Sequence, residues 1–354
     1  MASRQFIVDW TSIANGFQDS LLLGNGASIA VDRRFAYKNL LHAARQLDLI
    51  TSQLDQVFTY LQTEDFERVL EMLWHTHHIN EALGIRTREA RTAYRDIRKA
   101  LVKVVRKHHC SYSDVEDVLG EAAYFMMKFQ TIISLNYDLI VYWAMMKGNK
   151  DQGNWFKDGF VKDGHTFDRD WQRLKKPYNA KGSTLVFYPH GNLALASNLA
   201  GRDHKVVVGK ASDLLGQVLD DWYRARSVPL FVAEGVSRQK EAAIRRSEYL
   251  ATVYDEVLAD LGDSLAIYGW SLGDYDTHIL KKILEGKLQR IALSVRTDHR
   301  KSAAVREQCQ EVEKKIRSYS KKIDVTFFAA ESDGCWCNGY HPAEDGRTTR
   351  APRR

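Results

Sequence analysis

Seven short runs of apolar residues, most of them β-branched or aromatic, punctuate this chain at residues 21–24, 131–136, 184–190, 229–234, 265–271, 290–296 and 325–330. Runs of this length with little polar alternation fit strands buried on both faces, as in a parallel sheet covered by helices. Amphipathic patterns separate the last of them. Ile279, Leu280, Ile283, Leu284 and Leu288 share one helical face, and so do Val305, Cys309, Val312, Ile316 and Tyr319. This alternation predicts an α/β fold, a doubly wound and mostly parallel Rossmann-like sheet.

The first run is separated from the second by a stretch patterned as helix throughout. One face runs through Leu40, Ala44, Leu47 and Ile50 and on to Leu54, Val57 and Leu61. Further faces are Phe66, Val69, Leu70 and Leu73; Tyr94, Ile97, Leu101 and Val104; and Ala122, Phe125 and Phe129. Both ends of this stretch must return to the sheet. It is therefore expected to be a helical insertion, at about 36–128, within a single domain covering 1–330. Residues 147–181 read as the longest loop, 193–196 and 205–208 as a hairpin about a turn at 200–203, and 331–354 as a flexible tail.

Composition narrows the function classes. The chain has 354 residues, 44% of them hydrophobic, enough for a large core. Its 51 Lys and Arg against 45 Asp and Glu leave a formal charge of +6. That bias is slight for a general polyanion binder, so nucleic acid is not indicated. Four cysteines, Cys110, Cys309, Cys335 and Cys337, suit a reducing compartment better than a disulfide-stapled fold. The N-terminal residues lack the basic-then-apolar pattern of a signal peptide. No apolar stretch approaches the roughly 18–20 residues needed to span a bilayer. A soluble cytoplasmic protein without membrane association is expected.

The residues that carry chemistry cluster where the strands end. The first strand runs into Leu23-Gly24-Asn25-Gly26-Ala27-Ser28, a strand-to-helix turn whose backbone could lie against a pyrophosphate at a helix N-terminus. A tight turn without ligand explains the same residues, because the third glycine of the dinucleotide fingerprint is replaced by Ile29. The second strand ends in Asn136-Tyr137-Asp138, at the edge where parallel sheets bind ligands, although Asp138 also suits a helix cap. The third ends in Pro189-His190-Gly191, placing an imidazole that titrates near neutrality at the same edge. A later strand ends in Gly269-Trp270-Ser271-Leu272-Gly273-Asp274-Tyr275-Asp276, which offers a hydroxyl and carboxylates to ribose or, on the plainer view, caps a helix opening near Thr277.

Taken in order, these four blocks resemble the sirtuin-like Rossmann domains of bacterial anti-phage NAD-cleaving proteins, and more closely a bacterial branch of that superfamily that lacks the zinc module. The resemblance runs from about residue 21 to residue 330. It implies that Gly24, Gly26, Ala27 and Ser28 hold the NAD phosphates and that Asn136, supported by Asp138, lies beside the nicotinamide ribose. It further implies that His190 is the catalytic histidine and that Gly269, Ser271, Asp274 and Asp276 meet the adenosine side. The zinc module of protein-deacylating sirtuins needs two cysteine pairs after the catalytic histidine. None lies between Cys110 and Cys309, so no metal is expected and deacylation is disfavoured. The loop also reads Gly-Asn-Gly where many relatives have Gly-Ala-Gly.

The expected reaction is hydrolysis of NAD+ to nicotinamide and ADP-ribose. Breaking the nicotinamide–ribose bond builds oxocarbenium-like charge on the sugar, which an amide and a carboxylate can stabilise while holding water in line. His190 would accept a proton from that water or from a ribose hydroxyl. The resemblance implies anti-phage defence by depletion of host NAD, as in abortive infection. It also implies control by homo-oligomerisation or by a partner in trans, such as a HerA-like ATPase or a phage-derived activator. The alternative is a defence module that binds NAD, another nucleotide or nucleic acid without cleaving it.

Three further features read as ordinary surface. Cys335 and Cys337 with His341 lack a clear fourth metal ligand. His75, His77 and His78 lie together, yet only residues three or four apart share a helix face, so a surface cluster is expected. Arg88, Arg91, Arg95, Arg98 and Lys99 form a basic stripe of the kind expected on a solvated helix.

Overall fold

A computed structural model of the chain describes residues 6–36, 39–161, 166–177, 180–197, 202–224, 228–232, 237–298 and 302–339. Its strands are β1 (Ser20–Leu23), β2 (Thr131–Ser134), β3 (Phe156–Lys157), β4 (Phe160–Val161), β5 (Thr166–Phe167), β6 (Thr184–Phe187), β7 (Gly191–Ser197), β8 (Asp203–Lys205), β9 (Val228–Phe231), β10 (Ser264–Tyr268), β11 (Arg290–Val295) and β12 (Asp324–Ala329). Seven of them form one parallel sheet in the order β12-β11-β10-β1-β2-β6-β3. Without the two-residue edge strand β3, the order counted along the chain is that of a dinucleotide-binding Rossmann sheet, 3-2-1-4-5-6. The order reverses between β1 and β10, and the crevice outside their carboxyl ends is where such sheets take ligands.

The central strands are fully buried along their length, which is why their sequences carry no polar alternation. Ser20 on β1 and Thr131 and Ser134 on β2 are the polar exceptions, and the Ser20 hydroxyl donates to the Leu261 carbonyl at 2.7 Å.

Between β1 and β2 lies the expected helical insertion: Asn25–Val31, Leu40–Gln46, Ser52–Tyr60, Phe66–Ala82, Arg88–His108 and Glu116–Met126. Each of the last five turns an apolar face inward, among them Leu54 and Phe58, and Ile97, Leu101 and Val104. The face running from Leu40 to Leu61 belongs to two helices, because Asp48 takes a left-handed φ of 54° and Thr51 caps the next helix by accepting from the Leu54 amide. The basic stripe is divided. Arg88, Arg91 and Arg95 are exposed, but Arg98 is buried with its guanidinium 5.1 Å from the Tyr94 ring centre.

Three expectations need correction. The described start of the run at 229–234 lies in β9, part of a separate antiparallel sheet ordered β8-β7-β9, in which Pro229 sits on an outer strand that tolerates its missing amide; 233 and 234 lie outside the described residues. The segment 147–181 is not one loop. It contains the end of the helix Ile140–Gln152, the edge strand β3 and the β4–β5 hairpin. The expected tail begins as packed structure: Trp336 is 1% exposed and its indole N–H donates to the Ala27 carbonyl at 2.9 Å. The Ser332 hydroxyl likewise accepts from the Trp10 amide at 3.0 Å. Residues 340–354 lie outside the described residues.

A hairpin does follow Tyr188-Pro189-His190, but its second arm is β8 at 203–205 and not the expected 205–208, paired antiparallel with β7 so that Leu195 lies opposite Lys205. Most of its turn, 198–201, lies outside the described residues. Lys205 is buried and reaches the buried Asp158 carboxylate at 2.6 Å, which fastens the smaller sheet to the segment after β3. Among the described residues no helix is long and apolar enough to cross a membrane.

Candidate functional site

Two loops cross at the switch point, and glycine is what lets them. Gly24, the N-cap of the helix Asn25–Val31, donates its amide to the Tyr268 carbonyl at 2.9 Å, and Gly26 donates to the Gly269 carbonyl at 2.7 Å. A Cβ on Gly24 would stand 2.6 Å from the Trp270 Cα, and one on Gly26 would stand 2.7 Å from the Gly269 Cα. Gly269 has a φ of +72°, and a Cβ there would run into the Ala27 amide nitrogen. The Ala27 amide itself donates to the Gly24 carbonyl at 2.9 Å. Three of the turn's amides, those of Gly24, Gly26 and Ala27, are thus engaged within the protein, and the glycines serve the approach of backbone to backbone.

β2 delivers Asn136 and Asp138 to the same place. The Asn136 side-chain amide donates to the Gly24 carbonyl and to the Ser28 hydroxyl, each at 2.9 Å. The Ser28 hydroxyl then donates to Asp138 Oδ2 at 2.5 Å, and Asp138 Oδ1 accepts from the Ile140 amide at 2.9 Å. Asp138, one residue before the N-cap Leu139, thus satisfies the first amide of the helix Ile140–Gln152 and also anchors Ser28. Burial raises its pKa to about 6, against the opposing pull of those hydrogen bonds. With its nitrogen fixed twice over, Asn136 keeps Oδ1 as an acceptor to which no described residue donates.

His190 follows β6, the neighbour of β2 in the sheet. It is buried, and its Nε2 lies 3.1 Å from Nε2 of His278, a residue that sequence reasoning did not single out. His278 Nδ1 meets the Ser237 hydroxyl at 3.0 Å, and that hydroxyl also accepts from the His278 backbone amide. Asp276 Oδ1 lies 3.9 Å from His190 Nε2 and 2.9 Å from the Lys240 ammonium. Burial lowers His190 to about 3, with nearby Lys240 adding to the effect and Asp276 opposing it. Burial likewise lowers His278 to about 4. Both rings are neutral at pH 7. His278, Ser237 and Lys240 left no local signal, because their contacts join segments far apart in sequence.

The late block divides in two. Gly269 packs against Gly26, its amide donating to the Ser294 hydroxyl at 2.9 Å, and Asp276 turns inward to Lys240. Ser271 and Asp274 are exposed, and Asp274 pairs with Lys315 at 2.7 Å. The fold thus brings Gly24, Gly26, Ala27, Ser28, Asn136, Asp138 and Gly269 into one connected cluster and joins His190 to Asp276. It leaves Ser271 and Asp274 on the surface beyond Leu272, whose φ is 53°.

Among the described residues, only His77, His78 and Glu81 gather three ligand-type side chains whose donor atoms lie within 4.8 Å of one another. They sit on the insertion helix Phe66–Ala82. Cys335 is buried, which pushes its thiol pKa well up and makes it a poor thiolate ligand. His341 lies outside the described residues.

Sheet order, switch point and strand-end loops define a Rossmann-like parallel α/β protein. Within that class the chain belongs to the family described as Domain of unknown function (DUF4917), whose model matches residues 21–336 and so takes in every site residue named above. No curated protein matches the chain.

Proposed function

We propose that this protein is an NAD+ glycohydrolase that releases nicotinamide and ADP-ribose. The observation that carries the reading is the placement of Asn136 and His190, both buried, after the neighbouring strands β2 and β6, with Asn136 bonded to the Gly24 carbonyl after β1. A sheet of this order receives dinucleotides along that edge.

The chemistry asks little of the protein beyond position and polarity. The nicotinamide–ribose bond breaks, nicotinamide leaves neutral, and water adds to the ribose carbon with loss of one proton. Asn136 Oδ1 is fixed by the two bonds of its own nitrogen and accepts from that water or from a ribose hydroxyl. The neutral imidazole at His190 takes the proton, as a weak base in the buried resting site, where its pKa is lowered to about 3. The Asp138 carboxylate keeps Ser28, and through it Asn136, in place. Control by homo-oligomerisation, a HerA-like ATPase or a phage-derived activator, and a role in anti-phage defence, rest on the family resemblance alone.

A second reading is a non-catalytic nucleotide-binding module. It is favoured by the burial of His190, which lowers its pKa to about 3 and leaves a weak base. Incubation of the purified chain with NAD+, followed by chromatography, separates the two. The enzyme yields nicotinamide and ADP-ribose, and His190→Ala abolishes the yield. The binding module returns the NAD+ intact.

A further inference from the structure

His190 Nε2 faces His278 Nε2 at 3.1 Å. Two neutral imidazoles in contact through their Nε2 atoms share one proton, so one of them donates and the other gives up its lone pair. The Ser237 hydroxyl oxygen already accepts from the His278 backbone amide, which leaves its own proton for His278 Nδ1 at 3.0 Å. His278 then carries its ring proton on Nε2 and donates it, and Nε2 of His190 is the acceptor. The hydrogen bonds run one way, from Ser237 through His278 to His190.

We propose that His278 is a latch on His190: the resting chain keeps the lone pair of its base tied to the His278 N–H, and turnover requires that bond to open. The proposal rests on the NAD-cleaving reading and names its regulation. The latch parts lie on two segments packed on each other. Ser237 and Lys240 belong to the helix Ser237–Ile244, while Asp276 and His278 belong to the turn and helix from Asp274 to Leu284. The Lys240–Asp276 ion pair at 2.9 Å is a second tie between them. Loss of the Ser237 contact frees the His278 ring to turn away from His190, while Asp276, 3.9 Å from His190 Nε2, stays to stabilise the imidazolium that forms on proton uptake. An NAD-draining activity held off in this way needs no separate inhibitory domain.

The test joins a spectroscopic readout to a kinetic one. Nitrogen-15 NMR of the histidine rings in the full chain is expected to show His190 protonated on Nδ1, His278 protonated on Nε2, and a scalar coupling across the N–H···N bond. His278→Leu removes the coupling and is expected to speed nicotinamide release from NAD+ by about tenfold, the scale of one hydrogen bond that no longer has to be broken. His278→Gln retains an N–H donor and keeps the His190 ring signals in place, which separates loss of the latch from general damage to the fold. Absence of the coupling in the wild-type chain overturns the proposal. So does cleavage that is equally fast in wild type and His278→Leu. If no form cleaves NAD+ although the coupling is present, the reaction itself is wrong and the latch falls with it, while the histidine pairing stands.

Discussion

Asn136 holds Ser28: the side-chain amide of the one lies 2.9 Å from the hydroxyl of the other, across 108 positions of sequence and an entire helical insertion. The contact needs the carboxyl ends of β1 and β2 to lie side by side, which their parallel register provides, with Leu23 opposite Ser134. Ser28→Ala deletes the acceptor of Asn136 and the donor to Asp138 together. It should lower nicotinamide release by about tenfold or more, and leaving buried polar atoms unpaired should cost about 1–3 kcal/mol of stability. Initial rates and urea unfolding of the same preparation check both.

Gly269→Ala should be among the most damaging single-methyl changes in the chain. Its φ of +72° alone carries a cost of about 1–3 kcal/mol for a residue with a side chain. The added carbon also meets the Ala27 amide and the Gly26 backbone, which cannot move without disturbing the Asn25–Val31 helix. A large drop in the urea midpoint is expected. The comparison variant is Gly209→Ala, where nothing stands within 4 Å of the new carbon, and the midpoint should hardly change.

Acid should weaken the fold through its buried histidines. His190 and His278, lowered by burial to about 3 and about 4, refuse protons that the unfolded chain accepts near its ordinary 6.5. Their stabilising effect is complete above that value and is lost as pH falls toward the folded values. Asp138, raised by burial to about 6, acts in the opposite sense: its effect is complete below the ordinary 3.8 and is lost as pH rises through about 6. Two groups oppose one, so the three together should lose ~1.4 kcal/mol per pH unit between about pH 6 and pH 4. Unfolding midpoints at a series of pH values test this, and His278→Leu should flatten the slope. A midpoint indifferent to acid would contradict it.

Much of the main sheet is legible in the sequence because its strands are buried on both faces, and uninterrupted apolar runs such as 131–136 advertise that. The same signal misplaces β9, since a buried run looks alike in a parallel or an antiparallel sheet. β3 carries no signal, being two residues beside a loop-like segment. The strand-end residues stand out because Gly, Asn, Asp and His break apolar runs. Their partners do not: His278 reads as the polar start of an amphipathic helix, and only the folded chain sets it against His190, 88 positions earlier. Glycine in the Gly24–Gly26 turn signals a close approach, but the sequence does not say that part of that approach is to Gly269 and Trp270.

Trp336 closes over the first helix after β1. Its ring is buried and its N–H is bound to the Ala27 carbonyl, so Trp336→Ala should cost about 3–5 kcal/mol, the range for emptying a large aromatic site. Because Ala27 lies one residue from Gly26 and Ser28, the rate of nicotinamide release should fall as well. Differential unfolding and initial rates check the pair. A substitution without effect on either would mean that residues 331–339 do not brace the site.

The most direct test of the account compares wild-type protein with Asn136→Ala, both shown to be folded, for nicotinamide release from NAD+ over time. The account predicts release by the wild type and a loss of about 10²-fold or more in the variant, the scale of a positioned catalytic group. Release at equal rates by both, or NAD+ bound and recovered unchanged by the wild type, would contradict it.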